Sequence, residues 1–163
     1  MARIPDVDLP DDLPVKNNLV RVAYNNPDMF RGFASLSGRV HSASHLSDRI
    51  RELVILRTTG MLEAEYEWRA HARIAGRQGV TSEDLEALRS GRDDHFGGAE
   101  RAAVEFAAAL ERLEVDDTAW AAARSYFSDV ELLDMTLLAG FYGLASRFAL
   151  ALDIEPDPAP DEG

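Results

Sequence analysis

Between residues 15 and 154 the apolar residues recur three and four positions apart, which is the spacing of one helix face. No stretch alternates apolar and polar residues long enough to form a strand. The breaks in this period carry helix-end chemistry. Lys16 to Tyr24 reads as a short first helix, and Asn26-Pro27 supplies an N-cap and first-turn proline for a second, running to about His41. Ser47 caps a third helix, Asp48 to Met61, and a fourth covers Glu63 to Arg77 and stops near Gly79. Thr81 with Asp84 resembles a capping box for a helix ending at Gly91. Ala99 to Arg112 and Asp117 to Tyr126 follow, and Ser128 with Glu131 opens a long last helix to about Leu152. The pattern predicts an all-α fold of seven or eight helices.

Two of these helices lack a polar face. Glu52-Leu53-Val54-Ile55-Leu56 puts apolar residues around most of the third helix, so burial on nearly all sides is expected, Glu52 included. The last helix carries Leu132, Leu133, Leu137, Leu138, Phe141 and Leu144, with Gly140 and Gly143 leaving room for a close neighbour. A domain of this size has difficulty burying two such helices alone, so self-association is expected.

Composition narrows the partners. Apolar residues make up 46% and charged residues 28%, which places the chain among globular rather than disordered sequences. The formal net charge of −12 repels a polyanion, and no basic cluster offsets it, so nucleic acid is not an expected partner. There is no cysteine, which removes disulfides, thiol nucleophiles and zinc-thiolate sites together. The start, "MARIPDVDLPDDLP", has Pro and Asp where a signal peptide needs an apolar run. Met135 to Ser146, the longest uncharged apolar stretch, is too short to cross a bilayer. A cytoplasmic protein without a membrane partner is expected, with a domain over residues 15–154. Residues 1–14 and the acidic, Pro-rich residues 155–163 read as tails.

The stretch "EYEWRAHARIAG" concentrates the candidate chemistry. At about 100° per residue, Ala64, Glu67, Trp68, His71 and Ala75 share roughly a third of the helix circumference. Glu67 and His71, four apart, are neighbours, and a carboxylate beside an imidazole fixes its tautomer and orientation for acid–base work. Trp68 adds an apolar wall, while Tyr66 falls on roughly the opposite side. By default such a Glu–His pair is a surface ion pair worth a few tenths of a kcal/mol. Glu52 changes that reading. The short "TGMLEAE" connection should fold its helix against the next, bringing two carboxylates and one His to one pocket, and His71 is a natural partner for a buried Glu52. His41 and His45 flank a Ser-rich segment and His95 sits in "GRDDHFGG"; all three read as loop histidines. No metal-ligand spacing, phosphate loop or nucleophilic serine motif is present, so neither metal nor cofactor is expected.

"LSDRIRELVILRTTGMLEAEYEWRAHARIAGRQGVTSEDLEAL" resembles the carboxymuconolactone decarboxylase family, which also contains the AhpD-like alkylhydroperoxidases. The "RELVILR" helix, the "EYEWxxH" motif and the late "GFYG" segment stand in the family's order, and the resemblance spans about residues 20–154. The peroxidase branch has a Glu, then CxxC, then a His four residues after the second Cys. Here Glu52 and His71 take the Glu and His positions, while Ala64 and Glu67 stand where the cysteines would be. Thiol peroxidase activity is therefore rejected.

The decarboxylase branch implies cofactor-free lyase chemistry on a small cyclic or carboxylated metabolite. In that reading His71 donates or accepts the proton, Glu52 orients it and Glu67 tunes it, and Trp68 and Tyr66 meet the substrate. An anionic substrate needs a cation, for which Arg49 and Arg57 are candidates. An isomerase or dehydratase acting on a neutral molecule, or a scaffold without catalysis, are the alternatives. The family also implies an AhpD-like helical fold assembling into dimers, trimers or hexamers.

Overall fold

Polar side chains at the helix starts set most of the boundaries in the computed structural model, which describes residues 2–158. Asn17 caps α1 (Asn18–Ala23), and Asn26 caps α2 (Pro27–Ser42) with Pro27 in its first turn. Ser47 caps α3 (Asp48–Met61) through the Ile50 amide. Helix α4 (Glu65–Arg77) follows after a tight connection. Both expected capping boxes form, Thr81–Asp84 opening α5 (Ser82–Ser90) and Ser128–Glu131 opening α8 (Asp129–Leu152). Between them lie a single 3₁₀ turn (Asp93–His95), α6 (Gly98–Arg112) and α7 (Asp117–Arg124). The described residues thus hold eight α-helices and no strand, as the periodicity predicts.

Two starts fall later than expected, for local reasons. Asn17 spends its side chain on the Val20 amide, which leaves Lys16 outside α1. Glu63 takes a left-handed φ of 53°, so α4 begins at Glu65 instead of Glu63.

α3 is the central helix and packs on α4, α5, α6 and α8. Leu53, Val54, Ile55 and Leu56 are fully buried, each stabilising the fold by about 1.5–3 kcal/mol relative to an exposed side chain. Its two sides feed two cores. Val54 and Ile55 join Phe106, Met135 and Leu138 towards α6 and α8, whereas Leu53 and Leu56 join Trp68 of α4, Leu88 of α5 and Val104 of α6. A third cluster of Leu19, Val22, Tyr66, Ala149 and Ile154 takes in Ala2 and Ile4 of the N-terminal segment. The N-terminal segment has no helix before α1 yet lies against the domain, with the Arg3 amide donating to the Leu152 carbonyl at 2.8 Å. Met1 and residues 159–163 of the two expected tails lie outside the described residues.

α8 is 24 residues long and apolar enough by composition to cross a bilayer, longer than the uncharged stretch suggests, but half of it is buried in the fold. Its outer side leaves Val130, Leu133, Leu137 and Leu144 about half exposed. Gly140 shares that side with nothing within 4 Å, while Gly143 faces inward under the Glu111–Arg147 ion pair.

Candidate functional site

α3 and α4 form an antiparallel hairpin, shown by two pairings along it: Gly60 faces Trp68 and Glu52 faces His71. Glu52, carried into the interior by the apolar residues that follow it, is 1% exposed. His71 Nδ1 meets Glu52 Oε2 at 2.8 Å. A carboxylate only accepts, so the hydrogen sits on Nδ1 and Nε2 is left free of Glu52. Arg51 Nε stands 4.0 Å from Glu52 Oε1, a second charge beside the pair.

His71 opens on a cavity of about 630 Å³, within the range of about 300–1,000 Å³ common for small-ligand pockets. Glu67, one turn earlier on α4, lines it as well. No described residue hydrogen-bonds the Glu67 carboxyl; burial pushes its pKa up, and the nearby His71 opposes this. Tyr142, from the late "GFYG" segment on α8, closes another wall with its ring edge-on to His71, centroids 4.7 Å apart. Burial and the Glu67 and Glu52 carboxylates hold the Tyr142 phenol well above its usual range. It therefore stays protonated, and its oxygen lies 2.7 Å from His41 Nε2 in a hydrogen bond. The His41 ring lies parallel to the His71 ring, centroids 6.1 Å apart. Burial, His71 and Arg51 lower the His41 pKa, with Glu52 opposing, which favours the neutral imidazole.

The helix wheel is corrected at two residues. Trp68 does not share the cavity wall with Glu67 and His71: it faces the α3–α5 core under Arg89, whose guanidinium lies 4.3 Å from the ring centre. Tyr66 lines the cavity instead, with Glu67, Ala70 and His71. Spacing gives the relative angle of these side chains but not which arc faces the cavity, and that arc is centred nearer Ala70 than Trp68. The Tyr66 hydroxyl donates to Asp157 at 2.7 Å and accepts from the Leu19 amide, while the other Asp157 oxygen accepts from the Asn18 amide at the start of α1. Burial and the Asp157 carboxylate hold the Tyr66 phenol far above its usual range.

The other histidines and cations are also relocated. His41 is a helical residue of the site rather than a loop histidine, because α2 runs on to Ser42 and places it on the last turn. His45 pairs with Asp134, and His95 belongs to the 3₁₀ turn with its Nε2 2.8 Å from Asp84. Neither expected cation reaches the cavity. Arg49 binds Glu100 and Asp84, and Arg57 binds Asp93 and the Leu88 carbonyl. Among the described residues, no three His, Asp or Glu side chains gather as a metal-binding set.

Comparisons with known proteins agree with the fold. The model of the carboxymuconolactone decarboxylase family matches residues 27–109. None of the curated proteins matches the sequence. Among solved structures, an AhpD-core, peroxidase-related protein from Ralstonia eutropha is 21% identical with a TM-score of 0.83, over 96% of this chain and 92% of that one. A protein of unknown function from Agrobacterium tumefaciens is 20% identical with a TM-score of 0.79, over 88% and 99%. The debrominase Bmp8 is 21% identical with a TM-score of 0.76, over 90% and 80%. A cysteine-to-alanine variant of that debrominase is seen with 2,3,4-tribromopyrrole. At these identities the likeness is one of fold, and it is the AhpD-like helical fold.

Proposed function

Since this chain belongs to the carboxymuconolactone decarboxylase family, we propose that it is an acid–base lyase working with side chains alone on a small cyclic metabolite. The observation that carries this reading is the buried Glu52–His71 pair opening on a cavity of ligand size. Nε2 of His71 takes a proton from a carbon beside a carbonyl, and the electron pair of that bond moves onto the carbonyl oxygen. The Glu67 carboxyl, kept protonated to higher pH by burial, donates to that oxygen. The enol returns its proton to Glu67 as its electrons expel a group from the next carbon, and the His71 imidazolium protonates the departing group. In a decarboxylation no proton is abstracted and no group is expelled from the next carbon: CO₂ leaves its bonding pair behind as an enolate, and a protonated His71 delivers the proton to the vacated carbon. Glu52 holds the imidazole and balances its charge when it is protonated. The Tyr142–His41 pair supplies a second proton route, from the cavity to a half-buried imidazole. These 163 residues hold no cysteine, so the site has no thiol chemistry.

Isomerisation uses the same proton abstraction, with the proton returned to a different carbon, and the lack of a cavity-facing cation beyond Arg31 among the described residues favours it for a neutral substrate. The half-exposed stripe Val130, Leu133, Leu137 and Leu144 is spaced by three, four and seven residues, the spacing of a helix seam, and supports self-association through α8.

The test is a screen of small lactones, cyclic ketones and carboxylated cyclic acids against wild type and His71→Asn, following substrate loss and CO₂. Turnover that survives His71→Asn unchanged sinks the mechanism. Turnover of nothing favours a non-catalytic binding protein of the same fold.

A further inference from the structure

The charges that face the cavity are unevenly signed. Glu67 and Asp157 both line it. Glu52 faces the His71 imidazole at 2.8 Å, so this pair offers the cavity no unpaired cation. Arg31 is the lining arginine, and it is ion-paired with Asp28 on its own helix with most of its side chain in water. Arg51 does not line the cavity and is held by Asp48 at 2.8 Å and by the nearby Glu52. The Tyr66 hydroxyl is already committed to Asp157. The remaining wall is largely apolar, with Leu13, Leu19, Phe30, Phe33 and Phe141 around the ring-sized space.

We propose that this cavity takes an uncharged, mainly apolar ring compound bearing a carbonyl or hydroxyl oxygen, and that it excludes carboxylic acids as their anions. An anion leaving water needs a cation or several donors in return. Here it meets the Asp157 carboxylate, whose repulsion the low-dielectric setting strengthens, and the Glu67 carboxyl offers it one donor at most. A neutral carbonyl needs no cation: one donor suffices, which the Glu67 carboxyl supplies in its protonated form, and its ring replaces water against Phe33 and Phe141. The proposal rests on the acid–base reading only for the role of that oxygen, since charge selection is a binding property. Within that reading it narrows the chemistry to elimination or isomerisation of a neutral carbonyl compound. The decarboxylation in the family's name requires the anion that this cavity turns away.

The probes are 2-naphthamide and 2-naphthoate, a fluorescent pair of nearly equal shape that differ in charge at pH 7.5. Both are titrated into wild type and into Ala70→Phe, which fills the cavity from its α4 wall. The amide is expected to bind at least about tenfold tighter than the carboxylate and to be lost in Ala70→Phe. Equal or tighter binding of the naphthoate overturns the proposal. So does an amide that binds neither form, or one that binds wild type and Ala70→Phe alike. Discrimination without turnover in the substrate screen leaves the ligand class standing and removes the catalytic reading. Turnover of a free acid, with naphthoate bound as well as the amide, does the reverse.

Discussion

Glu52 and His71 share a hydrogen bond of 2.8 Å with 1% and 7% of their side chains exposed, so each is the other's principal partner in the interior. Removing one side has unequal consequences. His71→Ala strands a buried carboxylate with Arg51 Nε at 4.0 Å as the adjacent cation, and is expected to cost about 3–5 kcal/mol in urea unfolding. His71→Asn places an amide nitrogen where Nδ1 stood and should recover much of that loss. Equal stability of the two variants contradicts a buried pair.

Glu67 gives a pH-dependent prediction. Its folded pKa is raised by burial, so the folded chain holds the proton longer than the unfolded chain does. Stability from this residue is complete below the unfolded value of about 4.3 and declines as pH rises through the folded value. Glu67→Gln should therefore raise the Tm at pH 7 and leave it unchanged near pH 3.5, each regained kcal/mol showing as about 2–4 °C. A loss of stability at pH 7 contradicts the assignment.

His41 predicts the opposite slope. Burial, His71 and Arg51 depress its pKa, Glu52 opposes, and the Tyr142 hydroxyl faces its ring. As pH falls below about 6.5 the unfolded chain takes up this proton first. Stability is thus complete above that pH and is lost as pH falls through the folded value. In chemical denaturation across pH 5–7, His41→Gln should flatten this decline. An unchanged slope shows that His41 is not held neutral.

The outer stripe of α8 predicts assembly. Wild type should sediment as more than one chain, and Leu137→Glu, at a position 52% exposed and free of the core, should shift it towards the monomer without lowering the helical signal. A monomeric wild type at high concentration rules the interface out.

The helices were legible because their ends are written locally, in Asn17, Ser47, Thr81 and Ser128. The core of the site was legible too, since a four-residue spacing and a short connection are enough to bring Glu67, His71 and Glu52 together. The remaining partners come from far along the chain. His41 and Tyr142 are 101 residues apart, and "HSASH" reads locally as a loop. One signal was available: Phe33, Ser37 and His41 recur every four residues, and the first two line the cavity. Asp157 meets Tyr66 from 91 residues away, out of an acidic Pro-rich segment with no helical pattern. Trp68 was misplaced because an apolar aromatic fits either arc of α4, and the space beside Gly60 settled the choice.

The proposed chemistry has His71 move a proton between solvent and a ligand carbon in this cavity. It is tested most directly by proton NMR in D₂O, following loss of the signal beside the carbonyl of the neutral lactone or ketone that the screen finds to turn over or bind tightest. Wild type should exchange that position faster than His71→Asn by about 10²-fold or more, with both proteins folded and binding the ligand. Equal exchange rates in the two proteins would contradict the account.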